Sequence, residues 1–210
     1  MSSTLKLGEV IIGPNGRFDD GVILGYLSPR SGVSQLLTIG RDAVIRAGTV
    51  LYAGSTIGDH LETGHNVVIR EENEIGANFS IWNNTVIDYG CKIGMNVKIH
   101  CNCYIAQFTV LEDDVFLAPG VTIANDIHPG CPDSRPCMKG PTLKRGVQVG
   151  VNVTIVPFIT IGERSLIGSG SVVTRDIPPE SVVYGNPARV RGSIHDLKCV
   201  TKIRDLGPYV

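Results

Sequence analysis

From Ile39 onward the chain carries an aliphatic residue at every sixth position: Ile45, Leu51, Ile57, then Ile69, Ile75, Ile81, Ile87, Ile93, Ile99, Ile105, Leu111, Leu117 and Ile123, with Thr63 as the single exception. The same phase returns later at Val149, Ile155, Ile161, Ile167 and Val173. The next residue is often glycine, as at Gly40, Gly58, Gly76, Gly94, Gly150 and Gly162, and the fourth is usually small or apolar, as at Ala43, Val67, Val97 and Val121. A period of six is commensurate with neither 3.6 nor 3.5, which excludes amphipathic helices and coiled coils. It describes a short strand and a turn, repeated. Three such units closing a triangular coil stack residue i on residue i+18, and predict ladders such as Ile39, Ile57, Ile75, Ile93 and Leu111 along a dry interior. The architecture is an all-β parallel β-helix. The recurrent glycines mark turns that need positive φ or close backbone approach, and Cys91 and Cys103, at the inward small position, read as core residues.

Composition agrees. Ile and Val number 22 and 24 against 14 Leu and 8 Ala, and 25 glycines accompany 42% hydrophobic residues, too apolar for a flexible linker-like chain. Charge is balanced at 19 basic and 20 acidic residues, so nothing argues for a nucleic-acid or anionic-membrane partner, and an anionic ligand needs a local site. No apolar run reaches the length of a membrane span and no signal-like segment opens the chain, so a cytoplasmic protein is expected. The repeat is less regular over residues 1–36, read as irregular N-terminal coils. It is clear over 37–192 and gives way after Pro178-Pro179 to helical spacing from Ser193 to Leu206, which predicts a short C-terminal helix within 193–210.

The pattern breaks once. After Ile123 the next aliphatic of the phase is taken as Val149, an insertion of about twenty residues that predicts an extruded loop near 125–146. This loop contains Asn125, Asp126, His128, Cys131, Arg135 and Cys137, and long loops on rigid scaffolds are where binding and catalysis concentrate. His128, Cys131 and Cys137 are also three soft ligands on one segment, a candidate structural Zn2+ site if a fourth ligand arrives. A turn histidine before Pro129 is the plain alternative.

The motifs Leu117-Ala118-Pro119-Gly120-Val121-Thr122-Ile123, His128-Pro129, Ile167-Gly168-Ser169-Gly170-Ser171-Val172-Val173-Thr174-Arg175-Asp176-Ile177-Pro178-Pro179 and Gly185-Asn186-Pro187-Ala188-Arg189 resemble the hexapeptide-repeat acyltransferases of galactoside and maltose type. Leu111-Glu112-Asp113-Asp114-Val115-Phe116 is more similar to the nucleotide-sugar N-acyltransferases. The resemblance implies a left-handed β-helix, a handedness that the right-handed crossover rule would not predict. It also implies acetyl-CoA or another acyl-CoA as co-substrate, a sugar acceptor, most simply a nucleotide-linked amino sugar for surface polysaccharides, and a homotrimer with active sites between chains. His128 falls on the family's catalytic-base position, and imidazole suits proton transfer near neutral pH; unassisted attack by a neutral amine is the alternative. Asn102, or its neighbour Cys101, falls near the acceptor-positioning asparagine, with His100, Gln107, Asn125, Asp126 and Arg135 as further acceptor contacts. The motif match runs the pantetheine arm along Val151 and Ser169 and past Thr174, with Arg175 and Arg189 for the phosphates. Two other readings of the scaffold are a γ-type carbonic anhydrase, which needs three histidines on one zinc, and a non-catalytic assembly protein.

Overall fold

The computed structural model describes residues 4–201 together with Ile203 and Gly207. They form a left-handed parallel β-helix. Short strands, most of them of two residues, alternate among three sheets: the first begins with Leu5–Lys6, the second with Glu9–Ile12 and the third with Arg17–Phe18. Through the middle of the molecule every pairing is parallel with partners three hexads apart, so that Ile39, Ile57, Ile75, Ile93 and Leu111 stack in the second sheet as the spacing requires. The second residue of each strand points inward. Ile69, Ile87 and Ile105 are fully buried in the first sheet, and Ile81, Ile99 and Leu117 in the third. Cys91 and Cys103 lie in the same core, and burial pushes the Cys91 thiol up to about 12, so it stays protonated.

The turns divide labour between two positions. The glycine that follows the aliphatic is there for close approach: a Cβ on Gly94 would lie 2.6 Å from the backbone nitrogen of Asp113 in the next coil. Positive φ falls two residues later, at Asn66, Asn78, Asn84, Asn96 and Asn102. Asparagine tolerates this conformation better than other residues with a Cβ, and stacking of successive coils links the side chains into ladders, with Asn78 Nδ2 donating to Asn96 Oδ1 at 3.0 Å and Asn96 Nδ2 to Asp114 Oδ1 at 3.0 Å.

Near the N-terminus Leu5 pairs with Ile23 at the usual three hexads, a register shift falls between Leu24 and Tyr26, and an excursion, 27–35, stretches the next pairing, Ile12 with Ile39, beyond three hexads. Two features differ from the sequence expectation. The extruded loop is shorter than expected. Leu143 pairs with Leu111, so the interior phase resumes one hexad before Val149, and the insertion between Thr122–Ile123 and Thr142–Leu143 is shorter by that hexad. The C-terminal helix is reduced, among the described residues, to a single 3-10 turn, Ile194–Asp196, which follows an antiparallel hairpin, Ser181–Gly185 with Ala188–Ser193, on the edge of the third sheet. A capping box of Ser193 and Asp196 closes that turn over buried Ile194, and Leu206 lies outside the described residues.

Ile87→Ala, at the centre of the stack, should cost about 2–5 kcal/mol in reversible denaturation. Asn84→Gly, which preserves the turn conformation, should stay within about 1 kcal/mol of the parent.

Candidate active site

Both excursions leave the prism at the same corner. Segment 27–35 follows Ile23–Tyr26 and segment 124–141 follows Thr122–Ile123, each at the turn between the first and second sheets. The coils between them supply that corner with Arg70, Glu71, Asp88, Tyr89, Gln107 and Phe108, residues that the three-hexad step places one above another.

A continuous polar chain runs down this corner. Glu71 is fully buried and accepts from Ser28 Oγ at 2.9 Å, Arg30 Nη1 at 3.3 Å and Arg70 Nη2 at 2.9 Å. Arg70 also donates to Asp88 Oδ1 at 2.8 Å, and Asp88 receives Tyr104 OH at 2.8 Å and the Gln107 amide. Gln107 in turn accepts from Asn125 Nδ2. Arg30 lies 3.8 Å above the Tyr89 ring, and Tyr89 meets Phe108 edge to face. The chain therefore starts in the short excursion and ends at the foot of the long one. Burial alone would raise the Glu71 carboxyl, but hydrogen bonds from its own backbone, Ser28 and Arg70, with the Arg70 charge, hold it below the usual carboxylate value. Burial and the Asp88 carboxylate push Tyr104 up to about 12, so it remains a phenol and donates.

The long loop is built from this anchor. The Asn125 carbonyl oxygen accepts from Lys139 N–H at 2.9 Å, pinning the two stems together, and Asp126 Oδ1 accepts from the His128 N–H at 2.8 Å in an Asx turn. His128 is exposed near the start of the loop, and a 3-10 turn, Arg135–Cys137, leads the chain back. Cys131 and Cys137 are exposed free thiols, and among the described residues no group of three His, Cys, Asp or Glu is assembled to hold a metal. The expected zinc set of His128, Cys131 and Cys137 is thus not brought together, nor is the three-histidine centre of a γ-type carbonic anhydrase. Between the two excursions lies a cavity of about 370 Å3 lined by Arg30, Tyr89, Phe108, Arg135 and Met138.

The remaining sequence candidates lie at other places. His100 and Asn102 occupy the corner between the third and first sheets; His100 packs against Phe116 with centroids 5.1 Å apart, and Asn102 has positive φ and accepts from Asn84 Nδ2 at 3.4 Å as part of a turn ladder. Val151 and Ser169 share that corner, Ser169 Oγ accepting from the Val151 N–H at 3.1 Å. Thr174 and Arg175 are exposed beyond Val172–Val173, at the corner of the excursions, and Arg189 lies on the terminal hairpin opposite Tyr184. One chain therefore joins Gln107, Asn125, Asp126, His128 and Arg135 at one corner and separates them from His100 and Asn102. Arg30, Arg70, Glu71, Asp88 and Tyr104 were not anticipated. For Arg70, Glu71 and Asp88 the signal is the same three-hexad step, applied to turn positions instead of inward ones; Arg30 lies in the short excursion and Tyr104 at the outward position of a strand, outside that pattern.

The bacterial transferase hexapeptide family model matches residues 90–125 and 140–175, and the gap between the two matches is the extruded loop. A Saccharomyces cerevisiae protein whose name assigns it provisionally to the acetyltransferases is 31% identical across 81% of this chain and 90% of its own. The chain belongs to the hexapeptide-repeat transferases. Within this family the galactoside O-acetyltransferase of Escherichia coli is 38% identical over 49% of the chain, and a dTDP-3-amino-3,6-dideoxy-alpha-D-galactopyranose 3-N-acetyltransferase of Aneurinibacillus thermoaerophilus is 45% identical over 30%. The matched stretches span 57% and 31% of those two proteins, less than two thirds of either. Among solved structures, the UDP-N-acetylglucosamine acyltransferase of Campylobacter jejuni superposes over 92% of the chain and 74% of its own with a TM-score of 0.65 at 22% identity, a likeness of fold. No helix of this transferase, among the described residues, is long and apolar enough to cross a membrane.

The lowered Glu71 value fixes a pH dependence. A carboxyl depressed in the folded state adds stability above its unfolded value, near 4.5, and loses it as pH falls through the folded value. Glu71→Gln should therefore melt below the parent at pH 7, and the gap between the two thermal transitions should narrow steadily below about pH 4.5.

Proposed function

We propose that this hexapeptide transferase moves an acyl group from a coenzyme A thioester to the amine of a sugar, with a nucleotide-linked amino sugar as the acceptor that best fits the sequence. The observation that carries the reading is the long extruded loop, anchored on a buried polar corner and presenting an exposed His128, within a family that includes a galactoside O-acetyltransferase and a nucleotide-sugar N-acetyltransferase. In the reaction the amine nitrogen attacks the thioester carbonyl carbon and a C–N bond forms as the C–S bond breaks. His128 takes the proton released by the nitrogen and returns it to the departing thiolate, so coenzyme A leaves as the thiol and the imidazole ends neutral. Gln107, Asn125, Asp126 and Arg135 lie on the acceptor side.

The thioester is assigned to Val151, Ser169, Thr174, Arg175 and Arg189. Val151 and Ser169 form a stacked backbone and hydroxyl edge suited to an extended pantetheine arm, while Arg175 and Arg189 supply cations for the phosphates. Arg189 shares its hairpin with the Gly185-Asn186-Pro187 turn, and its Nη1 is braced on the Ala188 carbonyl oxygen at 2.8 Å. Replacing Arg189 by Ala should raise the KM for acyl-CoA about tenfold while leaving the acceptor's within about twofold; equal effects on both would remove the assignment.

The separation of His100 and Asn102 from the loop within one chain supports a homotrimer, in which the loop of one chain faces the third-to-first-sheet corner of its neighbour. His128→Ala should lower kcat by about 100- to 10,000-fold with folding intact, read as thiol release from acetyl-CoA with a panel of amino sugars. Mixed assemblies of His128→Ala and Asn102→Ala chains should regain activity that neither variant has alone. The imidazole of His128 has no hydrogen-bond partner among the described residues, which favours unassisted attack by the neutral amine as the second reading; a fall in kcat of less than about threefold on removing His128 would select it.

A further inference from the structure

The Asp88 carboxylate is saturated. Its Oδ1 accepts from Arg70 Nη1 and from the Tyr89 backbone N–H at 2.9 Å, and its Oδ2 from Tyr104 OH and the Gln107 side-chain amide. A carboxylate only accepts, whereas glutamine and asparagine each have one donating and one accepting end, so a carboxylate at the head of an amide chain sets the direction of every member. Gln107 must turn its NH2 toward Asp88. Its Oε1 then faces Asn125 and takes that residue's Nδ2, which leaves Oδ1 as the remaining end of Asn125. Every buried side-chain nitrogen and oxygen among the described residues has a partner, and no hydrogen bond among them ends on Asn125 Oδ1, so this oxygen lies within reach of solvent, three residues before His128.

We propose that Asn125 Oδ1 accepts an N–H of the incoming amine, and that Asp88 and Gln107 are positioning residues that fix its polarity. This rests on the acyl-transfer reading and names the group that the site selects in the acceptor. An amine held through an N–H keeps its lone pair free to attack the thioester carbon. An amide NH2 in the same place would donate to that lone pair and remove the nucleophile. The direction of a buried amide chain thus decides whether the acceptor is held in a reactive state, and the decision is made at Asp88, on the far side of Gln107.

The test uses a reversal and its rescue. In Asp88→Asn the new amide keeps its oxygen on Arg70 and the Tyr89 N–H and offers NH2 to Gln107, so Gln107 and Asn125 both reverse and Asn125 presents its NH2. Adding Gln107→Glu restores an acceptor between the two amides and returns Asn125 to its original direction at unchanged net charge. Asp88→Asn should lower kcat/KM for the amine acceptor at least about tenfold with the KM for acyl-CoA unmoved, and the double variant should recover to within about threefold of the parent. A single variant within about twofold of the parent, or a double variant no better than the single, overturns the inference. If Asp88→Asn fails to fold, Asn125→Leu removes the oxygen itself and leaves the four donors on Asp88 in place: an acceptor-specific loss supports the role, and its absence overturns it. The side-chain amide resonances of Asn125, followed by 15N NMR without substrate, should move in the single variant and return in the double. Unmoved resonances overturn the polarity even if acyl transfer itself is not observed, and absence of transfer to any amine with moved resonances instead overturns the functional reading and leaves the polarity standing.

Discussion

Every coil of this protein is hydrogen-bonded to the one above it through backbone groups one turn of the prism apart, as in the Gly76 N–H donating to the Ile93 carbonyl oxygen at 2.8 Å and the Val86 N–H to that of Cys103 at 3.0 Å. Because these bonds hold residue i over residue i+18, any side-chain type that recurs at that interval becomes a column. Aliphatic columns exclude water from the interior, and asparagine columns share hydrogen bonds at the turns. Gaps in the register are tolerated only where the extra residues leave at a corner and the chain re-enters one level up, as it does at 27–35 and 124–141.

The same constraint builds the polar corner. A carboxylate as fully buried as Glu71 is costly unless it is paired and hydrogen-bonded. Here the cost is offset by three side-chain donors, two of them, Ser28 and Arg30, brought by the short excursion, and every buried polar side-chain atom among the described residues is satisfied. The corner is rigid for the reason that the prism is rigid. Arg70, Asp88 and Gln107 sit on successive levels with no freedom to slide, so the order that they impose reaches Asn125 and the base of the loop. Beyond the Asn125 stem and the Asp126 turn the loop is held by short-range backbone bonds, such as the Cys131 N–H to the His128 carbonyl oxygen at 3.0 Å, which leave the His128 side chain exposed.

Family membership and geometry bear on different parts of the functional question. Two named relatives are a galactoside O-acetyltransferase and a nucleotide-sugar N-acetyltransferase, whereas the chain's own contribution is the pairing of a histidine-bearing loop with a network that begins elsewhere in the fold. The expected zinc ligands illustrate the contrast. His128, Cys131 and Cys137 are close in sequence, but the turn at Asp126 and the 3-10 segment at Arg135–Cys137 lay them out along the loop surface, and nothing draws them to a common point.

The inward columns were legible from spacing alone, since a six-residue period has no other compact solution and the column at Ile39, Ile57, Ile75, Ile93 and Leu111 follows from it by arithmetic. The existence and position of the long loop were legible too. Its end was not, because Leu143 stands alone between Pro141 and Lys144-Arg145 and only pairing with Leu111 reveals it as an inward residue. Asn102 looked like chemistry because an asparagine at that place matches the family; the backbone shows a turn requirement there as well. The sheet edge that offered Ser181–Gly185 a partner, and so built the terminal hairpin, was invisible to local pattern. Arg70, Glu71 and Asp88 occupy turn positions that carry no distinguishing pattern one at a time. Sequence alone determined the interior, because burial there depends only on the repeat. Tertiary structure decided the site, because Glu71 and Asp88 are buried, and the half-buried Arg70 and Gln107 are drawn into one chain with them, only when separate coils and two distant excursions meet at one corner.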